Sequence, residues 1–207
     1  VRDYVEWHEA YDDPISSLSR RLRVVQHRLH ETLDALEPGP LRVLSLCAGE
    51  GRDVILVLAN HRRGHETSAV LIELDPTLAA RAVAAASEAG LERLEVRCVG
   101  AGRSDGYIDV VPVDVLLLCG IFGNIGDHDV KTTIAAASGM VRSGGYVLWT
   151  RGGSDPDMRP AIRRWFVEAG MPEIAFEGHP EVYGVGVNRV TQRSPAPIDA
   201  QLFTFTR

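Results

Sequence analysis

Apolar residues follow two rhythms along this chain. Over residues 15–36 they recur every three or four positions, at Leu18, Leu22, Val25, Leu29, Leu33 and Leu36. That period predicts an amphipathic helix or two successive ones, with Arg20, Arg21, Arg23, His27 and Arg28 on a solvated face. From Leu41 onward, short apolar runs alternate with helical spacing. Residues 41–46, 66–74, 94–99, 113–119 and 146–150 read as buried strands. Residues 52–61, 77–89, 127–137 and 159–169 read as the helices between and after them. Three further apolar stretches, 171–176, 183–190 and 202–205, are able to complete the sheet. Pro38-Gly39-Pro40 stops the first helical section, and Gly90 and Gly144-Gly145 punctuate later ones. This alternation predicts an α/β fold around a mostly parallel sheet.

Composition narrows the picture. With 207 residues, 45% of them hydrophobic, the chain can bury one substantial core. Residues 1–40 read as an N-terminal helical lid or extension and 41–207 as the sheet domain, the two forming one integrated unit. A formal charge of -6 argues against a nucleic-acid footprint and favours a small-molecule partner. Cys47, Cys98 and Cys119 are widely spaced beside strands, which fits reduced thiols in the cytoplasm. No apolar run approaches the length of a membrane span, and no export signal is visible. No metal is expected: the histidines are dispersed along the sequence, and Asp155 and Asp157 read as turn carboxylates.

The chemistry concentrates at strand ends. After the strand 41–46, the run Cys47-Ala48-Gly49-Glu50-Gly51-Arg52-Asp53 places a glycine turn directly before a helix. Gly49 and Gly51 allow a tight turn and a close backbone approach to a ligand. Glu73 ends the second strand about 20 residues beyond the turn. Cys119-Gly120-Ile121-Phe122-Gly123-Asn124 forms the junction after the fourth strand. Tyr4, Trp7, His8 and Tyr11 make the first 14 residues either a lid over a pocket or a surface arm.

These features resemble the class I S-adenosylmethionine-dependent methyltransferases, over about residues 41–190. The resemblance implies a Rossmann-like three-layer sandwich with a mostly parallel seven-stranded sheet and a terminal antiparallel hairpin. It implies S-adenosylmethionine as cofactor and S-adenosylhomocysteine as product. Gly49 and Gly51 match the later glycines of the cofactor turn, with Ala48 between them and Cys47, which stands where an earlier glycine is common. Ser45 replaces an acid frequent in that strand. Glu73 matches the ribose-binding acid, and Leu74 would pack beside adenine. At the adenine amine, either Asp105 or the backbone around Ala101 is the candidate. Carbonyls of Cys119 and Gly120 would orient the charged end of the cofactor.

On the acceptor side, Phe122 would exclude water and Asn124 would either bind substrate or hold the loop. Tyr11, Trp149 and Arg151 are candidate pocket walls. His128, at a helix start, is a candidate base, and His8 in the N-terminal segment is another. The reading is methyl transfer to a small-molecule acceptor. The opposing readings are an NAD-dependent oxidoreductase and a non-catalytic nucleotide-binding regulatory protein. The amphipathic helices leave a homodimer open.

Overall fold

The computed structural model describes residues 11–153, 155–179 and 182–206. Its centre is a seven-stranded sheet of β1 (Leu41–Leu46), β2 (Thr67–Glu73), β3 (Leu94–Cys98), β4 (Val113–Leu118), β5 (Val141–Gly152), β6 (Glu173–His179) and β7 (Tyr183–Arg189). The order is β3-β2-β1-β4-β5-β7-β6. All neighbours from β3 to β5 are parallel, whereas β7 pairs antiparallel with both β5 and β6. The strand order reverses between β1 and β4. In open α/β sheets, a crevice opens at the carboxyl ends of the strands at such a point.

Helices cover both faces. Helix α1 (Ser17–Ala35) begins at Ser16, whose hydroxyl accepts the Ser19 N–H at 3.0 Å. Its Val25, Leu29, Leu33 and Leu36 are buried in one core with α2 (Arg52–Asn60), α3 (Pro76–Glu88) and that face of the sheet. The C-terminal end of α1 is fixed by Arg63, buried, whose guanidinium donates to the carbonyls of Leu33, Leu36, Glu37 and Gly39 at 2.7–2.9 Å. One side chain thus satisfies four carbonyl oxygens at a helix end that would otherwise be left without partners.

On the other face, α4 (Asp127–Met140) and α5 (Arg159–Glu168) enclose a second core that includes Trp149, Phe122 and Phe166. Trp149 stacks on Phe166 at 5.5 Å between centroids, and its indole N–H donates to Asn188 Oδ1 at 2.8 Å. The result is a helix–sheet–helix sandwich.

One expected strand is replaced by a strap. Residues 202–205 do not extend the sheet. The Leu202 N–H bonds the Gly102 carbonyl, the Thr204 N–H bonds Asp129 Oδ2 and the Thr206 N–H bonds the Asn124 carbonyl. The segment spends its hydrogen bonds on loops and a helix, not on a strand edge. It therefore crosses the carboxyl end of the sheet, where the crevice lies. Strand β5 is also longer than expected, running through Gly144-Gly145 with a register shift in its pairing to β4.

Candidate functional site

The glycine turn forms because two consecutive steps need left-handed backbone. Gly49 has φ +57° and Gly51 has φ +68°. A Cβ on Gly51 would stand 2.6 Å from Leu71 Cδ1, so glycine there also lets α2 pack against β2. Cys47 adopts φ +56° without being glycine, which explains why a glycine suits that position.

Glu73 holds this turn open. Its Oε2 accepts the Gly49 N–H at 2.7 Å and its Oε1 accepts the Asp75 N–H at 2.8 Å. Asp75 then caps α3 through the Thr77 and Leu78 N–H groups. The carboxylate of Glu73 remains on the wall of a cavity of about 620 Å3 at the β1/β4 crevice. That size suits a small ligand.

Of the residues expected there, Tyr11, Cys47, Ala48, Glu73, Leu74, Ala101, Cys119, Gly120 and Asn124 line the cavity. Leu74 is 66% exposed and offers an apolar face to it. Burial pushes the Cys47 and Cys119 thiols up, aided by the charges of Glu73 and Asp53 respectively, so neither is poised as a nucleophile. The Asn124 amide donates to the Gly120 carbonyl at 2.8 Å, so its side chain holds the loop while bordering the cavity. Gly100 and Gly120 also border it, and a Cβ on either would meet no atom within 4 Å.

Several other expectations are corrected. Phe122 and Trp149 are fully buried beneath the site, in the aromatic core, because their side chains point to the α4/α5 face of the sheet. Arg151 donates to the Phe122 carbonyl at 2.7 Å, bracing the loop from behind, and does not border the cavity. Ser45 is enclosed in the sheet. Asp105 is exposed and paired to Arg103, so the backbone around Ala101 is what borders the adenine end. His128 stands exposed in the first turn of α4. It lies about 200° around the helix from the buried Val130, and so turns away from the sheet. His8 lies outside the described residues.

Sequence reasoning missed several wall residues. Arg21 and Leu22 reach the cavity from α1, Glu50 and Asp53 from the glycine turn and α2, and Phe203 and Phe205 from the strap. Arg21 was expected on a solvated face. Its Nη2 instead donates to the Tyr11 hydroxyl at 3.1 Å. Glu50 accepts from Arg52 and from Arg81, and Arg52 reaches Asp12 at 2.8 Å, so the turn is tied to α3 and to the segment before α1.

Away from the cavity, His30, Asp34 and His61 come together at the α1/α2 contact. The Arg63 N–H donates to His61 Nδ1 at 3.1 Å, which places the neutral ring's proton on Nε2, 3.4 Å from Asp34 Oδ1. A protonated Nε2 is not a metal ligand. Arg62 also bonds Asp34, adding positive charge where a cation would sit. The trio pins two helices together.

No protein-family model matches this sequence, and no curated protein matches it. Solved structures do. An O-methyltransferase family protein from Burkholderia thailandensis aligns over 89% of this chain at 17% identity, with a TM-score of 0.66. The chain spans only 58% of that protein's length. The 1,6-didemethyltoxoflavin-N1-methyltransferase of the same organism, solved with 1,6-didemethyltoxoflavin and S-adenosylhomocysteine, aligns over 91% of this chain and 84% of its own, at 18% identity and TM-score 0.65. An RNA methyltransferase from Salinibacter ruber, in complex with S-adenosylhomocysteine, gives 20% identity and TM-score 0.57 over 85% of this chain and 96% of its own. The fold is therefore that of the class I methyltransferases.

Proposed function

We propose that this chain transfers a methyl group from S-adenosylmethionine to a small-molecule acceptor and releases S-adenosylhomocysteine. The observation that carries this reading is the chemistry of the glycine turn. A dinucleotide cofactor would set its pyrophosphate against the backbone N–H groups at the start of α2. Here those donors are already engaged: Gly49 N–H with Glu73, Gly51 N–H with the Ala48 carbonyl, Val54 N–H with Asp53 and the Gly51 carbonyl, and Ile55 N–H with the Gly51 carbonyl. Two carboxylates, Glu50 and Asp53, border the same wall. Such a wall repels a pyrophosphate and accommodates a ligand whose corresponding end is an amino acid.

The remaining walls fit the rest of the proposed cofactor. Glu73 keeps acceptor capacity beyond its two backbone bonds, enough to receive ribose hydroxyls. Leu74 and Ala101 flank the adenine end, where Gly100 leaves room. The carbonyls of Cys119 and Gly120 face the charged sulfur region, with Cys47 and Ala48 below it. Bound there, the cofactor supplies a methyl already activated by its sulfonium. The protein's task is to align an acceptor and exclude water.

Tyr11, Leu22, Asn124 and Phe205 would enclose the acceptor. This small, largely apolar rim and the net charge of -6 support a small molecule over RNA, in line with the toxoflavin-precursor enzyme among the structural neighbours. Among the described residues, no helix is long and apolar enough to cross a membrane.

The test is transfer of isotopically labelled methyl from S-adenosylmethionine to a panel of small phenols, amines and heterocycles, with total RNA and protein run beside it. Label in a small molecule supports the reading. Label confined to RNA or protein would overturn the acceptor class.

A further inference from the structure

Two opposite charges share one stretch of the cavity wall, and neither belongs to the turn residues recognised from the sequence. Asp53 lies in the first turn of α2 and Arg21 on α1, and both border the cavity beside Cys119 at the end of β4. The hydrogen bonds to the Asp53 carboxylate come from the backbone of its own turn, with Val54 N–H at 2.9 Å. Burying a carboxylate with so little compensation is costly, and burial pushes it up to about 6 even though the Arg21 guanidinium opposes the shift. The groups facing it are Arg21 from α1, the Tyr11 phenol ahead of α1 and the Cys119 thiol. Glu50 and Arg52 flank it on its own turn.

An α-helix start tolerates an acid for electrostatic reasons, but an exposed acid would serve that purpose as well. A carboxylate kept inside a cavity, with a guanidinium on the adjoining wall, matches a ligand that brings an ammonium and a carboxylate on neighbouring atoms. That is an α-amino acid. We propose that Asp53 and Arg21 form a clamp for the zwitterionic α-amino-acid end of the ligand, Asp53 receiving the ammonium and Arg21 the carboxylate. This rests on the methyl-donor reading above and assigns α1 a part in ligand capture.

The experiment is calorimetric titration of the full chain with S-adenosylhomocysteine and with 5′-methylthioadenosine, which keeps the adenosine and sulfur and lacks the amino acid. It is run on the unaltered protein, Asp53→Asn and Arg21→Gln, with thermal unfolding to confirm that each variant is folded. The clamp predicts that each substitution weakens S-adenosylhomocysteine about tenfold or more, the loss of one charge-assisted hydrogen bond, and leaves 5′-methylthioadenosine within about twofold. In the unaltered protein, S-adenosylhomocysteine should bind more weakly as pH falls through about 6, where Asp53 takes up a proton, while 5′-methylthioadenosine stays level.

If folded variants bind S-adenosylhomocysteine like the unaltered protein, or lose both ligands equally, the clamp is wrong and the methyl-donor reading stands. If the unaltered protein binds neither ligand, the methyl-donor reading itself fails and takes the clamp with it. An Asp53→Asn protein with unchanged affinity and a lowered, pH-shifted turnover would assign Asp53 to proton transfer instead.

Discussion

Glu73 Oε2 accepts the backbone N–H of Gly49 at 2.7 Å, so the acid that ends β2 braces the glycine turn that follows β1. Its other oxygen takes the Asp75 N–H, and one side chain thus fixes two of the loops around the crevice. A residue read from sequence as a ligand contact is also part of the scaffold. The two roles separate by substitution.

Glu73→Ala removes both acceptors and leaves two N–H groups unsatisfied. It should weaken S-adenosylhomocysteine by tenfold or more and also cost about 1–3 kcal/mol of stability. Glu73→Asp shortens the reach. Calorimetry and chemical denaturation of both variants check this: a large affinity loss with unchanged stability would remove the bracing role.

Asp53 makes the ligand-free protein less stable at neutral pH. Its folded value is raised to about 6 from the ordinary 3.8, so between those values the native state holds more protons than the unfolded one. Stability from this group is full below about 4 and is lost as pH rises through about 6. Asp53→Asn should therefore raise stability at pH 7.5 by on the order of 1–3 kcal/mol while weakening ligand binding. At pH 4 the gain should vanish. Urea denaturation at the two pH values measures it, and an equal effect at both would contradict the buried-carboxylate account.

Much of the architecture is written in local pattern. The runs of β1, β2 and β4 are apolar because both faces of those strands are covered, and the helices between them carry plain 3.6-residue periods. What periodicity does not give is which face of the sheet a bulky residue meets. Phe122 and Trp149 sit near the strand ends where pocket residues also sit, and only the packing of α4 and α5 turns them into core. Asp53 escaped notice because an acid in a helix's first turn has a sufficient local explanation. Arg21 falls among other arginines on α1, and only the docking of that helix over the crevice separates it from Arg20 and Arg23. The strap is a matter of tertiary bonding: the apolar residues 202–205 read as a strand, and their backbone partners lie roughly 80 to 100 residues away in sequence, beyond the reach of any local pattern.

The adenine end gives a discriminating pair of variants. Gly100 borders the cavity, and a Cβ there meets nothing within 4 Å, so Gly100→Leu should fill ligand space at little cost to the fold. Asp105, exposed and paired with Arg103, lies off the wall. The expected outcome is at least tenfold weaker S-adenosylhomocysteine binding for Gly100→Leu and no change beyond about twofold for Asp105→Ala. The reverse order would return adenine recognition to Asp105.

Cys47 carries strain in its left-handed backbone, worth about 1–2 kcal/mol for a residue with a Cβ. Cys47→Gly relieves that strain and loses some packing, so its stability should stay within about 1 kcal/mol of the original. Cys47→Val places a β-branched side chain at φ +56° and should destabilise by about 1–3 kcal/mol. Thermal and denaturant unfolding of the pair gives the answer.

The central claim is that the crevice between β1 and β4 takes S-adenosylmethionine in preference to a dinucleotide. Titration of the ligand-free protein with S-adenosylmethionine, S-adenosylhomocysteine, NAD and NADH tests it most directly. The account predicts saturable one-to-one binding of the first two and none of the last two, because the α2 start offers carboxylates and engaged N–H groups to a pyrophosphate. Selective binding of NAD or NADH would contradict it.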